Sequence, residues 1–172
     1  MELRKEIEPD FKSAEKHYPE VLKLILAYSD YCEENGDEDS TEYQKLENTL
    51  HEMTGKDMSQ FNLWEWWEEE GAEVLAFRIS LPAPKVIEHI TKGELTEIVR
   101  RQKTFVIQDE NDKSLRAQFH YHLDDYFIDF LSLNFTTFDH SLFQRQKDKK
   151  GNYFEYNQNE IVEKLWNMGK YK

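Results

Sequence analysis

Glu73-Val-Leu-Ala-Phe-Arg-Ile-Ser-Leu81 is the stretch on which the fold class turns. Val74, Ala76 and Ile79, with Phe77 and Leu81 among them, make a short apolar run of mixed pattern that Pro82 and Pro84 close, and it reads as a strand. Phe105-Val-Ile-Gln108 gives a second strand, closed by the turn-prone Asp109-Glu-Asn-Asp112. Farther on, Lys147-Asp-Lys-Lys-Gly-Asn152 is a tight turn that joins Leu142–Gln146 to Asn152–Tyr156 in a β-hairpin.

Helices surround these strands. Leu3, Ile7, Phe11 and Ala14 form an amphipathic stripe interrupted at Pro9, which two short helices or one kinked helix would satisfy. Pro19 suits the first position of a helix that runs to about Glu34, with Val21, Ile25, Tyr28 and Cys32 on one stripe and Gly36 beyond its end. Cys32 therefore reads as a small core residue. Thr41-x-x-Gln44 has the spacing of a capping box and opens a helix faced by Tyr43, Leu46, Leu50 and Met53, with Gly55 as its stop. Asp57-Met-Ser-Gln60 can cap a helix through Phe61–Glu70 that Gly71 closes. Thr91 with Glu94, and Asn157 with Glu160, repeat the capping signature before Leu95, Ile98 and Val99 and before Ile161, Val162, Leu165 and Trp166. Between them Leu115, Phe119, Leu123, Tyr126, Phe127, Phe130 and Leu131 fit one helical stripe over residues 114–134. No repeat and no linker rich in Pro, Gly or Ser interrupts the chain. The reading is one α+β domain over residues 1–172: N-terminal helices packed with a small antiparallel sheet and a C-terminal helix.

A third of the 172 residues are charged and the formal net charge is −13, a composition that leans toward disorder. The aromatics oppose this, because 4 Trp, 9 Tyr and 11 Phe can each bury about 150–250 Å² and supply a core. One cysteine excludes an internal disulfide and any four-cysteine zinc module. No apolar run approaches the ~20 residues of a membrane span, and the charged start Met1-Glu-Leu-Arg-Lys-Glu6 lacks the apolar region of an export signal. A cytoplasmic location without membrane contact is expected.

The charge is lopsided. Residues 1–80 carry 8 basic against 21 acidic side chains, a net of −13, whereas the remainder balances at 14 and 14. Two clusters dominate: Glu33, Glu34, Asp37, Glu38, Asp39 and Glu42, then Glu65, Glu68, Glu69, Glu70 and Glu73. Such runs serve either as solvated faces or as a docking surface for a cationic protein. A nucleic acid is a poor ligand, since phosphate binding displaces counterions with Lys and Arg and this field repels a polyanion. Calcium is also disfavoured: an EF-hand loop counted from Asp37 would place Thr41, Glu42 and Asn48 where an oxygen ligand, glycine and glutamate are required. Trp64, Trp66 and Trp67 lie inside the second cluster, and with Phe61 and Leu63 they give more apolar circumference than one core face uses. Either all three pack inside or one stays partly exposed among glutamates, as in a binding hot spot.

His120-Tyr-His122-Leu-Asp124-Asp125 is the best candidate for chemistry, because imidazoles and a carboxylate at alternate positions share one face of a strand and suit a transition metal. It resembles the first half of the His-x-His-x-Asp-His signature of metallo-β-lactamase-like hydrolases, with Asp125 where that signature has its next histidine. A metal-dependent hydrolase using His120, His122 and Asp124 is thus the alternative reading. On a helix, His120 and Asp124 would instead pair at its surface. No Gly-x-Ser-x-Gly elbow, phosphate-binding glycine loop or His-Glu-x-x-His motif is present, and no cofactor is expected.

In size, acidity and lack of a catalytic motif the chain resembles immunity proteins of bacterial toxin systems, which bind and neutralise a cognate toxin. That resemblance implies a non-catalytic, stoichiometric inhibitor of a basic protein. The residues expected to meet such a partner are Glu33, Glu34, Asp37, Glu38, Asp39, Trp64, Trp66, Trp67, Glu68, Glu69 and Glu70.

Overall fold

The computed structural model describes residues 2–104 and 111–171; within them the side chains of Trp67 and Glu69 are outside the description. The molecule is essentially all-α, with 62% helix and 2% strand, and the α+β expectation is corrected accordingly. The decisive stretch is helical: Ala72–Ser80 forms a helix begun at Gly71, whose φ of +85° is open to glycine. Its Ala72, Leu75, Ala76, Phe77, Ile79 and Ser80 are all buried. A helix covered on most sides has no polar face to display its period, so its apolar run resembles that of a strand. The expected strand at Phe105–Gln108 lies outside the described residues.

The chain divides into two compact units, each interleaved in sequence with the other. The first comprises Asp10–Ala83 and Lys113–His122. Its α1 spans Phe11–Asn35, opened by Asp10, whose carboxylate accepts from the Ser13 amide at 3.1 Å. Pro19 sits inside this helix instead of starting it; it is exposed, and burial of Ala14, Val21, Ile25 and Tyr28 offsets its missing N–H. Cys32 is half-buried against the same core. Helix α2 spans Thr41–Thr54 and ends at Gly55, φ +72°. A one-turn α3, Trp66–Glu69, precedes α4, Ala72–Ser80. The expected Phe61–Glu70 helix is interrupted because the Asn62 side chain takes the amides of Trp64 and Glu65 at 3.2 and 3.0 Å. Helix α4 packs chiefly on α1, and their core includes Val21, Ile25, Leu46, Leu50, Leu63, Leu75 and Ile79. The short α6, Leu115–Gln118, delivers Phe119 onto Phe77 at 4.6 Å between ring centroids and 10° between planes. That seat breaks the helix expected over residues 114–134.

The second unit comprises Met1–Pro9, Pro84–Asp112 and Leu123–Lys172. Helix α5, Lys92–Lys103, starts with the expected Thr91–Glu94 capping box, and α8, Gln158–Trp166, with the Asn157–Glu160 box. Helix α7 spans Leu123–Asn134. Leu95, Ile98, Val99, Phe127, Phe130, Leu131, Ile161, Val162 and Leu165 are its buried core. Residues 2–9 are no helical stripe; they belong to this unit with Leu3 and Ile7 buried, and the Tyr126 hydroxyl donates to the Ile7 carbonyl at 3.3 Å. Arg4 pairs with Glu94, and Arg101 bridges Glu8 (2.7 Å) and Glu97 (3.0 Å). Arg100 also binds Glu97, whose carboxyl is pushed down to about 2, first by this guanidinium and then, against the cost of burial, by Arg101. The hairpin is small: β1, Gln146–Lys147, pairs antiparallel with β2, Tyr153–Phe154, and Leu142 belongs to a 3₁₀ turn instead.

Candidate functional site

Most of the negative charge resides in the first unit, which holds 18 acidic and 8 basic side chains, a net of −10 out of −13. The C-terminal end of α1 concentrates it. A helix C-terminus carries a partial negative charge and is stabilised by cations, yet the last turn of α1 contains Glu33 and Glu34 and no basic residue. Glu38 follows in the adjoining loop, and all three carboxylates are exposed with no ion-pair partner among the described residues. Like charges set at the unfavourable end of a dipole weaken the helix, so local stability does not account for them.

Asp37 and Asp39 have structural duties. The N-cap Ser40 is left-handed, φ +55°, and its side chain caps nothing, so the expected Thr41–Gln44 box is absent. Asp37 takes over from three residues earlier: its carboxylate accepts from the amides of Glu42 (3.2 Å) and Tyr43 (2.9 Å) and from the Tyr28 hydroxyl (3.2 Å). Burial raises the Asp37 carboxyl, but these donors outweigh it and hold the group below its ordinary range. Asp39 accepts from the Thr41 amide at 3.1 Å.

The indoles follow the same helix. Trp64 is half-buried with its ring edge-on to Tyr28 at 5.8 Å, and Tyr28 meets Tyr43 at the same separation. Burial pushes the Tyr28 phenol up, and the nearby Asp37 charge adds to this. Trp66 is half-buried and donates from Nε1 to the Ser29 Oγ at 3.1 Å. Ser29 lies one turn before Glu33 and one turn beyond Leu26, which is 41% exposed. The flank of α1 thus joins Leu26, Ser29 and Glu33 into a strip with Trp66 fixed beside it. In the sequence Leu26 falls with Leu22 and Ser29 on the stripe beside Val21, Ile25 and Tyr28, a spacing that marks the helix but not its exposure.

The second acidic cluster is less uniform than its sequence suggests. Glu70 binds Arg78 at 2.6 Å and is largely buried, so it is not a free surface carboxylate, whereas Glu65, Glu68 and Glu73 are exposed. The Trp67 and Glu69 side chains lie outside the described residues.

No group of three or more His, Cys, Asp or Glu side chains among the described residues is placed to hold a metal. His120, on a 3₁₀ turn instead of a strand, has Nδ1 3.0 Å from the Ala117 carbonyl and a buried Nε2 without a hydrogen-bond partner among the described residues. The alternation that suggested a hydrolase centre therefore does not arise, and Asp124 accepts from the Gln102 amide at 3.3 Å. A cleft of about 530 Å³ in the second unit is lined by Val86, Ile87, His89, Asn134 and Tyr171. Two of its polar groups are engaged: Asn134 receives the Ile87 amide at 2.8 Å and donates to the Lys85 carbonyl, and the Tyr171 hydroxyl donates to the Ile90 carbonyl. No helix among the described residues is long and apolar enough to cross a membrane. Comparison with protein-family models, with curated proteins and with solved structures finds no match to this chain.

Proposed function

We propose that the chain is a non-catalytic acidic binding protein of the cytoplasm that holds and inhibits a basic protein stoichiometrically, in the manner of an immunity protein and its toxin. The supporting observation is the end of α1, where Glu33, Glu34 and Glu38 stand exposed against the helix dipole beside the Leu26–Trp66 strip. Charge accelerates the encounter of such a surface with a cation-rich partner, and the half-buried apolar strip supplies area to retain it. Asp37, Asp39 and Glu70 serve the fold, so the binding carboxylates are Glu33, Glu34, Glu38 and Glu68.

The test is capture of partners from the native cell at low salt, followed by association kinetics with the captured protein. A cationic protein held at one-to-one stoichiometry is expected, with an association rate that falls at least tenfold between about 20 and 200 mM salt. The variant Glu33→Lys/Glu34→Lys/Glu38→Lys should lose it. Capture unchanged in that variant, or a salt-independent rate, refutes the reading.

A further inference from the structure

Within this acidic chain one exposed element has the opposite sign. The hairpin, its turn and the residues flanking it carry Arg145, Lys147, Lys149 and Lys150 against two acids, Asp148 and Glu155, of which Glu155 pairs with Lys103 at 3.7 Å. Asp148 faces its own turn, accepting from the amides of Lys150 and Asn152 at 2.8 Å each and from the Asn152 side chain at 3.1 Å. Gly151 completes the turn at φ +84°. None of the four cations makes an ion pair among the described residues, although the chain has 13 carboxylates in excess.

The cations are also positioned. Lys147 faces Tyr153 across the ladder, and Arg145, two residues back, falls on the same side by the period of a strand. The Arg145 guanidinium lies 4.3 Å and the Lys147 ammonium 4.8 Å from the Tyr153 ring centroid, and that ring is 57% exposed. The hairpin is a two-stranded sheet, so among the described residues each strand leaves its outer edge unpaired.

We infer that this hairpin is a docking site for an extended acidic segment of another protein. A peptide added along a strand edge repeats its side chains every two residues, at roughly 6.6–7 Å, which is the spacing of Arg145 and Lys147 on their face. Carboxylates at alternate positions therefore meet both cations, while Tyr153 holds the cations in place and reduces the freedom lost on binding. A long polyanion extends past the hairpin into the field of a chain at −13, whereas a short acidic segment does not.

The experiment uses the full chain and a fluorescent peptide of about twelve residues alternating Glu and Ser, titrated by anisotropy at about 50 mM salt. Saturable binding is expected, weakened about tenfold in Arg145→Gln/Lys147→Gln and about threefold in Tyr153→Leu, which alters no charge. Lys149→Gln/Lys150→Gln, which touches neither the ladder nor the ring contacts, should also weaken it and guards against a hairpin that fails to form. Absence of saturable binding below about 1 mM peptide overturns the inference. So does equal affinity in all three variants, or tighter binding of a single-stranded DNA of matched charge.

Discussion

Replacing Glu97 by glutamine tests the electrostatic account of the second unit. Its side chain is 7% exposed, and two guanidinium groups bring its carboxyl to about 2, from an ordinary 4.5. That difference is worth on the order of 3 kcal/mol at about 1.36 kcal/mol per pH unit. The sign follows from the depressed value. The contribution is complete above the unfolded value of 4.5 and fades as pH falls through the folded value near 2. At pH 7 Glu97→Gln should therefore be less stable than the native chain by about 1–3 kcal/mol; Arg101 keeps Glu8 and the half-exposed Arg100 regains water, which limits the loss. Near pH 2 the two proteins should converge. Urea unfolding followed by far-UV circular dichroism from pH 7 to 2 measures both curves, and the Glu94 contribution cancels in their difference. Two parallel curves, offset equally at every pH, would refute the reasoning.

Phe77→Ala removes the fully buried ring that stacks on Phe119 and should cost about 3–5 kcal/mol in the urea midpoint analysis. Pro19→Ala restores an amide donor at an exposed position inside α1 and should raise the melting temperature; a lower one would show that the proline is accommodated without cost. Asp37→Ala should lower the melting temperature by freeing the amides of Glu42 and Tyr43, whereas Ser40→Ala, at the nominal cap, should leave it unchanged.

Local chemistry was legible in the residues. The boxes at Thr91 and Asn157 form as their spacing indicates, because each needs only four consecutive residues. Gly36 and Gly55 likewise end their helices. What misled was burial on several sides and competition from side chains. Ala72–Ser80 exposes only Glu73, too narrow a polar face to reveal a period, Asn62 takes amides that would continue a helix, and Asp37 supplants Ser40. The site shows the same division. The acidity of α1's end was visible, but only contacts distant in sequence show that Glu70 is consumed by Arg78 and that Trp66 is tied to Ser29.

The interleaving of the two units has a consequence for synthesis. Leu3 and Ile7 are synthesised some hundred residues before their hosts around α5 and Tyr126. At about 5–20 residues per second these two apolar side chains wait on the order of ten seconds unhoused, while residues 10–83 already have most of their own partners. The first unit thus has its last segment, Lys113–His122, before the second has α7 and α8, and it is free to mature ahead of it.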